Sequence, residues 1–127
     1  MSILGRLKEL NDINDLDIPD KYKESILHMV TKLQDYPVVK EIILFGSCAR
    51  SQVKKNSDID MALVVEEPIS IQDEGDIDYE IRHWDYGLPC DIIFISRGLF
   101  NKEVHGETVI RPILREGLIL NGLLLKR

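Results

Sequence analysis

The chain has 127 residues, of which 44% are hydrophobic and 30% charged, and its formal net charge is −6. This is the size and composition of one soluble globular domain able to bury a real core, spanning 1–127 with no repeat, linker or low-complexity segment. The acidic balance argues against gripping long nucleic acid through a broad basic face, and there is neither an apolar run of membrane-spanning length nor a signal-peptide core.

Residues 1–18 are amphipathic but interrupted by asparagines and aspartates, and Leu4, Leu7 and Leu10 fit a short helix. They read as an arm, packed on the domain or reaching for a partner. Pro19 and Asp20 open a stronger helix, with Tyr22, Ile26, Met29, Val30 and Leu33 along one face and Tyr36-Pro37 as its stop. His28 beside that stripe reads as an ordinary surface histidine. Val39 to Phe45 is short, β-branched and aromatic, which fits a buried strand. A Gly46-Ser47 turn and a short helix to about Val53 follow, with Ser47 as its N-cap. Asp58 to about Val65 reads as a second strand, nearly continuous in apolar residues and so covered on both faces.

Glu66 to Asp76 is acidic and contains Pro68 and Gly75, so it reads as a loop, leading into a helix from about Glu74 to Tyr86 with Ile77, Ile81 and Trp84 as its core stripe. Asp73, Glu74, Asp76 and Asp78 read as a solvated cluster at its amino end, and His83 as a partly buried histidine. Cys90 to Ser96 is a third strand with Asp91 at its mouth. A charge there is poorly tolerated without a metal or partner. Cys90 reads as a small buried hydrophobe and Cys48 as a partly exposed space-filler; the pair makes neither a metal pattern nor a disulfide framework, which fits a reducing cytoplasm. Thr108 to Glu116 reads as a last helix; Pro112 at its fifth position puts the firm start near Ile110 or Arg111, and Gly117 closes it. Leu118 to Leu120 reads as a short edge strand, Asn121-Gly122 as a turn, and Leu123 to Leu125 as a core contact or as a homodimer or partner surface.

The chemistry concentrates between Ile42 and Val65. Gly46 lets the backbone turn sharply and approach a ligand closely. Free N–H groups at a helix start favour phosphate, and Arg50, Lys54 and Lys55 add positive charge. In a strand, residues i and i+2 share a face, so Asp58 and Asp60 project together. Two adjacent carboxylates stay ionised most easily around a hard cation, and Mg²⁺ is held by one or two carboxylates with substrate phosphates.

Gly46-Ser47, ten residues, then Asp58-x-Asp60 between apolar flanks resembles the signature of the nucleotidyltransferase superfamily with the polymerase-β-like fold. The small size looks most like the minimal nucleotidyltransferases, many of them antitoxins paired with HEPN-domain toxins. The motif covers residues 42–65 and the element order extends the match over 20–120. One departure is Ser51, where the family often has glycine. The resemblance implies an α/β (α+β) fold, a small mixed sheet flanked by helices, with Asp58, Asp60 and Asp91 converging at one end. It implies that Asp58 and Asp60 bind Mg²⁺ on the triphosphate, and that Asp91 completes a second metal position and assists deprotonation of the acceptor. Gly46 and Ser47 would hold phosphates, while Arg50 and Ser57 match nucleotide-touching positions. ATP would be the donor and a tyrosine hydroxyl on a HEPN toxin the acceptor of AMP. Two alternatives stay open: an antitoxin that acts by binding alone, and an enzyme modifying a small molecule such as an antibiotic at a homodimer seam.

Overall fold

A computed structural model describes residues 7–55, 57–66, 69–82, 88–98 and 110–126. Its elements are β1 (Lys8–Glu9), α1 (Asp20–Leu33), β2 (Val39–Phe45), α2 (Gly46–Ala49), β3 (Ile59–Val65), α3 (Ile71–Arg82), β4 (Cys90–Ser96), α4 (Ile110–Glu116) and β5 (Leu118–Ile119), with 3₁₀ turns at Ile13–Asp15 and Asn121–Lys126. The five strands form one mixed sheet in the order β1-β5-β2-β3-β4. β2 runs antiparallel to both β3 and β5, whereas β3 and β4 are parallel and β1 is parallel to β5. The expected α/β architecture, a small mixed sheet with flanking helices, is what forms.

The two-residue period of the strands builds two cores. Ile42, Leu44, Ile59, Met61, Leu63 and Val65 face one way, against Tyr22, Ile26, Met29, Val30 and Leu33 of α1 and Ile77 and Ile81 of α3. Ile43, Ala62 and Val64 face the other way, with Ile95, Ile119 and Ile113 of α4. Fully burying one such side chain contributes roughly 1.5–3 kcal/mol. Gly117 fits the tight corner after α4: a Cβ there would overlap the Ile113 carbonyl and sit 2.9 Å from Ile43 Cγ2.

Several local expectations are corrected. Around Leu7 to Leu10 the chain is not helical: Lys8–Glu9 pairs with Leu118–Ile119 and forms the sheet edge, so β5 lies inside the sheet. Leu7, Leu10, Ile13, Leu16 and Ile18 are buried, which makes this part of the arm an integral layer; Leu4 lies outside the described residues. Helix α3 starts at Ile71, earlier than expected, because the Ser70 hydroxyl accepts the Asp73 N–H at 3.0 Å and caps it. Trp84, His83 and the expected end of that helix lie outside the described residues. Asn121-Gly122 opens a 3₁₀ helix rather than a simple turn, and Leu123 is buried. Among the described residues no helix is long and apolar enough to cross a membrane.

Asn121 completes strand β2 where β5 has ended. Its Oδ1 accepts the Ile42 N–H at 2.9 Å and its Nδ2 donates to the Lys40 carbonyl at 3.0 Å. A side-chain amide thus replaces a missing strand residue. Asn121→Ala strands both backbone groups and is expected to cost about 1–3 kcal/mol in urea unfolding. Asn121→Asp should recover only part of the loss, since it can accept from Ile42 but cannot donate to Lys40. An alanine variant as stable as the parent would refute this role.

Candidate active site

Strand directions put three carboxylates at one end of the sheet. β3 and β4 are parallel, so their first residues are neighbours, and Asp60 lies in register with Asp91. β2 is antiparallel to β3, so its last residue, Phe45, lies opposite Asp60. The chain therefore leaves β2 and enters the Gly46-Ser47 turn beside the same end. Asp58 precedes β3, and one carboxylate oxygen from each of Asp58, Asp60 and Asp91 can be drawn into a set within 4.8 Å of one another. Asp58 and Asp91 are exposed and Asp60 is half-buried. Three acids this close suit a hard divalent cation, whose oxygen ligands they would be.

Gly46 is what allows the approach. Its φ is +76°, and a Cβ there would overlap Asp60 Oδ2 and stand 3.0 Å from Asp60 Cγ. Helix α2 is shorter than expected, and its N-cap is Phe45 rather than Ser47, which sits one residue inside the helix. Ser51, the departure from the family pattern, takes φ 56°, a left-handed conformation that explains a preference for glycine there. Its hydroxyl accepts the Asp17 N–H at 3.0 Å, which offsets part of that strain.

The loop into β3 is pinned from below. Tyr22 of α1 donates its hydroxyl to the Ser57 carbonyl at 2.8 Å. The Ser57 hydroxyl accepts the Lys54 N–H at 2.7 Å, and the Ile59 N–H bonds the Pro89 carbonyl at 2.9 Å. Cys48 is wholly buried, contrary to the expected partial exposure, with Sγ 3.8 Å from the Asp58 carbonyl. Burial pushes its thiol up to about 11, which removes it as a nucleophile at neutral pH. Cys90 is half-buried, with Sγ 3.6 Å from Met29 Sδ, and burial pushes its thiol up to about 12.

Burial first, and then the charges of Asp91 and Asp58, raise the Asp60 carboxyl to about 6; Arg50 opposes the rise and Glu116 adds to it. The apposed acids are thus electrostatically unsatisfied by the chain itself, which is the condition a bound cation relieves. Arg50 Nη1 donates to Glu116 Oε2 at 2.7 Å and its Nε to Gln52 Oε1 at 3.0 Å. Sequence reasoning missed Glu116. It lies at the end of another helix, 66 residues from Arg50, and no local spacing signals it. His28 is half-buried rather than on the surface, and burial lowers its imidazole.

Comparison with known proteins matches residues 28–112 to the model of the polymerase beta nucleotidyltransferase family. A protein of Methanocaldococcus jannaschii, provisionally named a protein adenylyltransferase, is 34% identical over 89 residues, which cover 65% of this chain and 78% of that relative. A crystal structure of a toxin-antitoxin with AMP-PNP contains a chain of the same fold, with a TM-score of 0.53 and 20% identity over 81% of this chain and 75% of that one.

Proposed function

The chain belongs to the polymerase β nucleotidyltransferase family and is a nucleotidyltransferase, and from that premise we propose that it transfers AMP from ATP to a hydroxyl group of a protein partner, as the antitoxin of a toxin–antitoxin pair. The observation that carries the reading is the convergence of Asp58, Asp60 and Asp91 beside the left-handed Gly46 turn, where a Cβ would overlap Asp60. The protein acceptor rests on the M. jannaschii relative, and the toxin partner on the toxin-antitoxin neighbour. A tyrosine of a HEPN-type toxin is the acceptor proposed.

Asp58, Asp60 and Asp91 are the residues that would hold Mg²⁺, in two positions. Bound there, the metal would neutralise charge on the triphosphate and on the entering and leaving oxygens. Gly46 and Ser47 bring backbone N–H groups to the same end of the sheet, where the β- and γ-phosphates would lie. Arg50 adds a guanidinium, and Ser57 shapes the loop that delivers Asp58. Asp91, exposed at the rim, would accept the proton of the acceptor hydroxyl. The α-phosphorus–oxygen bond to that hydroxyl forms, the bond to the bridging oxygen breaks, and pyrophosphate leaves.

The test is label transfer from ATP labelled at the α-phosphate, with Mg²⁺ and host lysate. A labelled protein band is expected, absent with Asp58→Asn or Asp60→Asn and absent when EDTA removes the metal. Label confined to small molecules would overturn the protein acceptor. No label in any fraction, with toxin neutralisation surviving Asp60→Asn, would mean that binding alone is the function.

A further inference from the structure

Arg50 is held by two side-chain acceptors. Nη1 donates to Glu116 at 2.7 Å, and Nε donates to Gln52 at 3.0 Å. Nη2 has no side-chain partner among the described residues. A guanidinium tethered through Nε and Nη1, with the Nη2 donors left over, is preorganised for an anion. Arg50 ends the Gly46–Ala49 turn, and its N–H bonds the Gly46 carbonyl at 3.1 Å.

Glu116 is not explained by its own helix. It is the last residue of α4, where the carbonyl ends carry negative partial charge and disfavour a carboxylate. Nor does an ion pair of this kind explain it as a stability device, since partly exposed pairs contribute little. The acid is the more buried partner, 17% exposed against 45% for the arginine. The acid is therefore the anchor and the arginine the presented group.

We propose that Glu116 is a positioning residue for nucleotide binding, holding the Arg50 guanidinium near the acidic mouth so that its Nη2 donors meet the triphosphate. The inference rests on the nucleotidyltransferase reading above and assigns to it a residue outside the Gly-Ser and Asp-x-Asp segments. Gln52 supplies the second tether. Glu116 also brings a negative charge that opposes a polyanion. That charge is paired with Arg50, so its loss matters less than the loss of the tether.

Binding of Mg²⁺–ATP to the full chain by titration calorimetry separates the two effects. Glu116→Ala removes tether and charge together and is expected to weaken binding about tenfold, the size of one well-placed charge-assisted contact. Glu116→Gln keeps an acceptor for Nη1 and removes only the charge, so it should stay within about twofold of the parent. In an Arg50→Ala background, Glu116→Ala should have no further effect, because there is nothing left to position. Melting curves for each variant check that the fold persists. Glu116→Ala binding as the parent does, or more tightly, would overturn the inference while the nucleotide reading stands. So would a loss that persists undiminished in the Arg50→Ala background. A parent chain that binds no Mg²⁺–ATP, or binds it equally well after Arg50→Ala, overturns the nucleotide reading of Arg50 itself, and this inference with it.

Discussion

Gly46→Ala is expected to abolish nucleotidyl transfer and to lower stability by about 2–4 kcal/mol. Two separate penalties act at this residue. Its φ of +76° is left-handed, which an alanine adopts at a cost of about 1–2 kcal/mol. Its added Cβ would also overlap Asp60 Oδ2, and Asp60 Cβ would lie 3.2 Å away. Neither side can yield without consequence. Asp60 sits on β3, between β2 and β4, and its main chain is fixed by register with Phe45 and Asp91. If the side chain rotates instead, the carboxylate leaves the set it forms with Asp58 and Asp91. A displacement of about 1 Å at a catalytic group costs on the order of 10²-fold in rate. Urea unfolding and label transfer from ATP measure the two effects. The control is Ser51→Gly, a second left-handed position, with φ 56°. There the relief of strain and the lost Asp17 hydrogen bond oppose each other, so stability should stay within about 1 kcal/mol and transfer should persist. A Gly46→Ala variant that retains transfer would show that the turn and the acids are not mechanically coupled.

That coupling lies beyond the reach of the sequence, although much around it does not. Val39–Phe45 and Cys90–Ser96 form strands with the bounds that their apolar runs imply. Each run is long enough for its own burial to decide its state. Asp58, Asp60 and Asp91 come together because a parallel pair of strands aligns its first residues, a consequence of topology that the order of elements suggests. Where a strand is only two residues long, burial gives no signal, and so the pairing of Lys8–Glu9 with Leu118–Ile119 leaves no mark in the sequence. The start of α3 was legible in Ser70 and Asp73, but Pro68 and Gly75 nearby carry the stronger loop signals. Glu116 had no signal, because its role depends on a contact between two helix ends distant in the chain.

Asp60→Asn should likewise abolish transfer, yet without metal it should stabilise the fold at neutral pH. The ordinary carboxyl value of 3.8 rises to about 6 at Asp60, through burial first and then repulsion from Asp91 and Asp58. The folded chain therefore binds this proton more tightly than the unfolded chain does. The resulting stabilisation is fully present below about pH 4 and is lost as the pH rises through 6. At pH 7.5 the ionised carboxylate is a net cost. The shift alone would correspond to about 3 kcal/mol, and partial exposure reduces this to about 1.5 kcal/mol. Asparagine keeps the shape and removes the charge, so metal-free Asp60→Asn should melt about 5 °C above the parent at pH 7.5. Burial raises Glu41 and lowers His28, and both titrate in parent and variant alike, so they cancel in the difference. The gap should narrow to about half at pH 5 and close as the pH falls below about 4. Mg²⁺ should raise the melting temperature of the parent and do little for the variant, because binding to the folded state alone is what stabilises it. A variant no more stable than the parent at pH 7.5, or a gap that does not narrow on acidification, would mean that the three acids repel one another far less than their geometry requires.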